Sequence, residues 1–208
     1  MRRVIVGLSV LLALSSARAG AQVQSVEIIP FGGYRWSGGI NSLQGVSDFD
    51  VKDAAAYGVA LDANMPRNSA TELYWSHWEG DWDATLVGGG TRDGSFKRDD
   101  IMLNGIWYAA RSGARARPYF TAGLGASIFW ADDAETIGRF AWNIGAGLRR
   151  DIDQKLALRA DFRWAPTWIS TGTGVWCDPF FCYPVTEGEF FDQWEVTGGL
   201  IIKLGGHR

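Results

Sequence analysis

Apolar residues recur at every second position along strand-length stretches of this chain, and that alternation constrains the fold more than any other feature. In RPYFTAGLGASIFW, Arg117 to Trp130, the even positions Pro118, Phe120, Ala122, Leu124, Ala126, Ile128 and Trp130 are all apolar. The odd positions run Arg117, Tyr119, Thr121, Gly123, Gly125, Ser127 and Phe129. Successive side chains of a strand point to opposite sides, so a period of two means one oily face and one polar face. About eight such segments cover the chain, at 26–36, 54–64, 70–78, 99–109, 117–130, 139–150, 156–168 and 193–204.

The connections alternate too. Long polar links are expected at 37–53, 79–98 and 169–192, with a moderate one at 131–138. Between them fall the tight turns NMPRNS, ARSGAR and RDIDQK. Long links at one end and short turns at the other predict an all-β fold, an up-and-down antiparallel barrel of about eight strands.

Such a barrel can face either way. A soluble, ligand-holding barrel of the lipocalin kind turns its apolar face inward, whereas a membrane barrel turns it outward. Three features favour outward. Large aromatics, Trp36, Trp130, Trp168 and Trp194, sit on the apolar face near the long links, as an interfacial girdle requires. The opposite face mixes charges of both signs: Glu27, Arg35, Asp62, Glu72, Asp100, Arg117, Arg139, Arg149, Arg159, Asp161, Arg163, Glu195 and Lys203. Gly58, Gly123, Gly125, Gly145, Gly147 and Gly199 share that face and make room for long side chains in a narrow interior. Pro30 lacks a ladder donor in the middle of the first strand and predicts a bulge there.

The first residues, MRRVIVGLSVLLALSSARAGAQ, join Arg2 and Arg3 to a short apolar run and small residues, the pattern of an export signal spanning 1–21. The run is too short for a spanning helix, which needs roughly 20 apolar residues. Residues 22–208 are then a barrel domain, exported to a soluble or a membrane fate. A net charge of −3 and a pI near 5.4 offer no concentrated basic face, which excludes nucleic acid as a partner.

The strands VEIIPFGGYRW, TELYWSHW and RPYFTAGLGAS, the hairpin WNIGAGLRRDIDQKLALRADFRW and the last strand QWEVTGGLIIKL together make the chain resemble the small eight-stranded outer-membrane β-barrel proteins of Gram-negative bacteria. That porin-like family is related in architecture to the transmembrane domain of OmpA. The resemblance implies an outer-membrane location, lipid and lipopolysaccharide as surroundings, and recognition of the last strand by the outer-membrane assembly machinery. The chain departs from the usual aromatic ending by running past Leu204 into GGHR.

No residue set points to a cofactor. Cys177 and Cys182 lie in the longest link, and an oxidising compartment predicts a disulfide closing a loop of about six residues, worth roughly 2 kcal/mol. Two thiols without a nearby His make at best half a zinc site. A lipid deacylase would need Ser, His and an acid on one face, but alternation sends Glu72 and Ser76 inward and His77 outward. GGGTRDG lacks the Lys-Ser/Thr ending of a phosphate loop. No enzyme is predicted. The reading is a structural or surface-interactive barrel with a lumen filled by paired charges; the alternatives are a narrow channel or transporter of the OmpW-like kind and a soluble exported binding barrel.

Overall fold

The computed structural model describes residues 23–37, 46–110, 113–130, 137–169, 174–177, 182–185 and 189–206. The expected export signal, 1–21, lies outside the described residues. The strands are β1 (Ser25–Ser37), β2 (Val46–Val51), β3 (Ala54–Met65), β4 (Ser69–Leu86), β5 (Thr91–Tyr108), β6 (Ala116–Trp130) and β7 (Ile137–Asp151). They continue as β8 (Leu156–Trp164), β9 (Thr167–Ile169), β10 (Gly174–Cys177), β11 (Cys182–Val185), β12 (Glu189–Phe191) and β13 (Gln193–Gly206).

Antiparallel pairing runs β1, β3, β4, β5, β6, β7, β8, β13 and back to β1, so the sheet closes on itself as an eight-stranded up-and-down barrel. Two barrel strands are interrupted without losing register. Trp164 of β8 stands opposite Ile144 and Thr167 of β9 opposite Ala141, the same alignment on either side of Ala165 and Pro166. On the facing strand, Trp194 pairs with Trp164 and Phe191 with Thr167, again in one register across Asp192. Pro166 has no N–H to give the ladder, and Ala165 N bridges the break by donating to Gln193 O at 2.8 Å.

The expected bulge at Pro30 is absent. Ile28 pairs with Ile202 and Phe31 with Gly199, so register holds across the proline and the ladder merely skips it. The shift falls instead between Ser25 and Glu27. A missing donor costs one hydrogen bond without requiring an extra residue, and pairing of Pro30 with Val59 on the other side keeps the strand straight.

The segments expected as long links also hold pairing. Most of 79–98 is strand: β4 and β5 run as one hairpin, Trp78 opposite Arg98 and Thr85 opposite Thr91, with glycines at positive φ in the turn, Gly89 and Gly90. β2 adds a third strand along β4, Val51 opposite Trp82. The reason is alternation of the kind seen in the barrel, since Trp78, Trp82 and Ala84 are buried while Glu79, Asp81 and Asp83 are exposed. In the last link, β10 and β11 form a separate hairpin.

At the short-turn end, Arg67 and Asn68 occupy left-handed backbone between β3 and β4. Asp153 closes the β7–β8 turn by accepting from Lys155 N at 2.7 Å and Leu156 N at 2.8 Å. These two N–H groups hold its carboxyl below the usual range.

The faces separate cleanly. Outward residues include Phe120 and Leu124, 66% and 61% exposed, whereas Glu72, Ser76 and Arg98 inside are fully buried. Glycine admits the interior side chains: a Cβ at Gly147 would meet Tyr119 Oη at 2.2 Å, and one at Gly123 would meet Asn104 Oδ1 at 1.8 Å.

Candidate functional site

Three tiers of polar side chains occupy the interior. At the long-link end, Arg35 of β1 reaches Asp100 of β5 at 2.5 Å and Ser76 of β4 at 3.0 Å, and it pairs with Glu195 of β13. Asp100 also accepts from Arg98 Nε at 2.8 Å and from Ser127 Oγ at 2.5 Å. Arg98 donates onward to Ser127 at 2.8 Å, to Thr167 at 3.2 Å and to Gln193. Tyr74 donates its hydroxyl to Glu195. The Trp78 ring lies 5.8 Å from the Arg35 guanidinium and is fully buried.

The middle tier is built on β8, whose alternation aims Arg159, Asp161 and Arg163 inward together. Arg159 contacts Glu72 at 2.7 Å, Asp161 at 2.7 Å and Asp62 at 3.2 Å. Arg163 reaches Glu72 at 3.0 Å and Asp161 at 3.2 Å, with its guanidinium 4.2 Å from the Tyr74 ring centroid. Tyr119 donates to Asp161 at 2.6 Å, Asn104 to Glu72 at 2.7 Å, and Asn143 to Asn104 at 2.9 Å.

At the short-turn end Arg149 of β7 grips Glu27 of β1 with two parallel bonds, 2.6 and 2.9 Å, and reaches Asp151 at 3.0 Å. Lys203, half-buried, contacts Asp151 at 2.7 Å. Arg117 stands 4.0 Å from Asp151 and over the Tyr108 ring at 4.2 Å. Arg139 is half-buried opposite Ser127.

Some of these contacts run along the wall, as Arg98–Asp100 and Arg35–Glu195 do, and others cross the barrel. In a ring of eight, strands four apart face each other, and both the Arg98–Gln193 bond and the Arg159–Glu72 pair join such opposites. Among the described residues, five buried arginines (35, 98, 149, 159, 163) meet six buried carboxylates (27, 62, 72, 100, 161, 195), while a sixth, Arg117, faces Asp151. The arrangement holds charge in place.

Arg98 is the main interior residue that sequence reasoning missed, because it falls in a segment read as a link. Its signal was present: stepping back by two from Asp100 in β5 keeps the inward phase. Tyr74, Asn104, Tyr119 and Gln193 were likewise in phase but carry no charge to mark them.

Outside, Trp36 and Trp194 are opposed in register and join an aromatic group. Trp36 lies 6.4 Å and Trp194 5.3 Å from Phe162, with Trp164 6.0 Å from Trp194. Trp130 instead donates its indole N–H to Asp99 at 2.5 Å. The Trp168 side chain lies outside the described residues. His77 points outward, with Nδ1 2.9 Å from Asp99, while Ser76 and Glu72 are buried on the inner face. The backbones of Cys177 and Cys182 are opposed in the β10–β11 hairpin, and their side chains lie outside the described residues. No group of three or more His, Cys, Asp and Glu side chains among the described residues is placed to hold a metal.

Replacing Arg159 with Met should lower stability by about 3–5 kcal/mol, since three carboxylates lose a buried partner. Lys203→Ala, at a half-exposed position, should cost below about 1 kcal/mol. Urea unfolding followed by tryptophan fluorescence measures both, and equal effects would contradict the assignment of the middle tier as the tighter one.

No known protein-family profile matches the chain, and no curated protein matches it in sequence. Solved structures do match in fold. Neisserial surface protein A aligns with a TM-score of 0.60 at 9% identity, over 86% of this chain and 97% of that one. The outer membrane protein OprG from Pseudomonas aeruginosa aligns with a TM-score of 0.61 at 12% identity, over 88% and 97%. The N-terminal β-barrel domain of Pseudomonas aeruginosa OprF gives 0.50 at 18% identity, over 87% and 98%. A closed ring of eight antiparallel strands, with paired charges and two apolar clusters within and a largely apolar face without, thus has the fold of the small eight-stranded outer-membrane β-barrel proteins.

Proposed function

We propose that this chain is an integral barrel of the Gram-negative outer membrane, with a structural or surface-interactive role and a lumen plugged by its own side chains. The observation that carries the reading is the set of charge contacts joining opposite walls, Arg159 to Glu72 above all. An eight-stranded barrel has an interior just wide enough for side chains to fill, and here ion pairs and apolar residues such as Ile29, Met102, Ile106 and Ile201 share it.

The outer face supports the bilayer setting. On β5 the outward residues Ile101, Leu103 and Trp107 are exposed and apolar, and from Asp99 toward the hairpin tip they turn polar with Lys97, Ser95 and Asp93. That change supports a boundary between hydrocarbon and water at this level of the strand. The three-stranded extension of β2, β4 and β5 then stands on the external side, with the short turns and both termini in the periplasm. Its outward ion pairs, Lys52–Asp83 at 2.9 Å and Lys97–Glu79 at 3.4 Å, suit a water-facing contact surface. Lipid and lipopolysaccharide surround the barrel in this reading, and β13 carries the signal for the assembly machinery. Cys177 and Cys182, opposed in backbone register, are joined as a disulfide there.

Reconstituted in planar bilayers, the unmodified protein should show no steady conductance. A stable, selective unitary conductance would put the narrow-channel reading first. Leu124→Arg, at an exposed outward position, should destabilise the barrel in lipid by about 2–4 kcal/mol, measured by urea titration in vesicles; an unchanged midpoint would place that face away from acyl chains. Thiol labelling of unreduced mature protein should give no signal, whereas free thiols at both cysteines would dismiss the disulfide.

A further inference from the structure

Polar side chains contact one another across the upper and middle tiers, and the short-turn end opens into a polar vestibule of about 720 Å³. Three acids line it, and each is already engaged. Glu27 takes both bonds from Arg149, Asp151 takes Arg149 and Lys203, and Asp153 is held by the backbone N–H groups of its own turn. The bases outnumber them. Arg67 and Arg115 stand exposed on the rim, and Arg117 lines the wall.

Arg117 differs from the other buried arginines in its partners. It is 8% exposed, and its Nε has no hydrogen-bond acceptor among the described residues; the Nε of Arg163 shares that lack, but Arg163 Nη2 reaches Glu72 at 3.0 Å and Asp161 at 3.2 Å. Its ion contact with Asp151 is long, 4.0 Å, whereas Arg149 approaches Glu27 to 2.6 Å. The Tyr108 ring lies 4.2 Å from the guanidinium, a cation–π contact that holds the group without neutralising its charge. A buried cation left short of a counter-charge is costly, and a guanidinium held rigid beside a water-accessible cavity matches the geometry of a carboxylate or phosphate.

We propose that this vestibule is a binding site for a small free oxyanion, a phosphate or carboxylate species, with Arg117 as the residue that grips it and Arg67 and Arg115 supplying attraction at the rim. The site lies on the barrel axis, inside the wall, so it admits a soluble anion rather than a headgroup still anchored in the bilayer. This goes beyond the structural role proposed above and stands or falls separately: binding is measured on the full folded chain in detergent, where conductance plays no part.

Inorganic phosphate titrated into the wild-type protein by calorimetry should bind saturably at one site. Arg117→Gln should weaken it about tenfold or more, the loss expected for a hydrogen bond to a charged group. Lys97→Gln, on the exposed extension at the opposite end, should leave it unchanged. Phosphate should also protect Arg117 of the wild type from phenylglyoxal, read by peptide mass mapping, which tests the site even if the variant fails to fold. Absence of saturable binding, no protection of Arg117, or equal loss in the two variants would overturn the proposal. So would binding of dihexanoyl phosphatidic acid without binding of inorganic phosphate.

Discussion

The closed hydrogen-bond ring is the constraint on which the other features depend. A sheet with an apolar outer face can enter hydrocarbon only if no backbone donor or acceptor is left at an open edge, and joining β1 to β13 removes both edges at once. The two interruptions within the ring show how firmly it is held. Pro30 and Pro166 each remove a donor, yet the pairs on either side stay aligned, because neighbouring strands fix the register from both directions.

Charge in the interior has a related purpose. Filling the lumen with leucine would pack well, but inside and outside would then be chemically alike, and a one-residue slip of any strand would exchange two apolar faces at little cost. With Arg159, Asp161 and Arg163 pointing inward from β8, the same slip would drive three charges into the outer face. Buried ion pairs add little net stability over apolar packing of the same volume, so their contribution here is to specify which arrangement forms.

Much of this was legible in the sequence, because period-two alternation is a local property and barrel strands express it without interruption. The eight barrel strands, their polar and apolar faces and the short turns all follow from it. Less legible was whatever depends on partners distant in sequence. Residues 79–98 look like a link because Asp, Gly, Arg and Lys crowd together, and only pairing of β4 with β5 and β2 carries the alternation of 70–78 on through Trp82 and makes Arg98 a member of the network. Pro30 suggested a bulge because a missing donor was visible while the alignment supplied by β3 was not. The vestibule was out of reach as well: Arg117 reads like any other inward charge until its distance to Asp151 is known.

The Arg35–Glu195 pair has a consequence for how the barrel assembles. The two residues are 160 positions apart, on the first and last strands, and Arg149 and Glu27 are separated by 122. The first pair cannot form until the last strand returns to the first, and the second needs β7 to face β1, so the entropy of closing long loops is lost before these contacts compensate it. An open sheet of seven strands, lacking β13, would leave Arg35 without Glu195 and Arg98 without Gln193, besides two unpaired sheet edges. Barrel closure is therefore expected to be a single late event without stable partial forms, and the slowest step should be the arrival of β13 between β8 and β1.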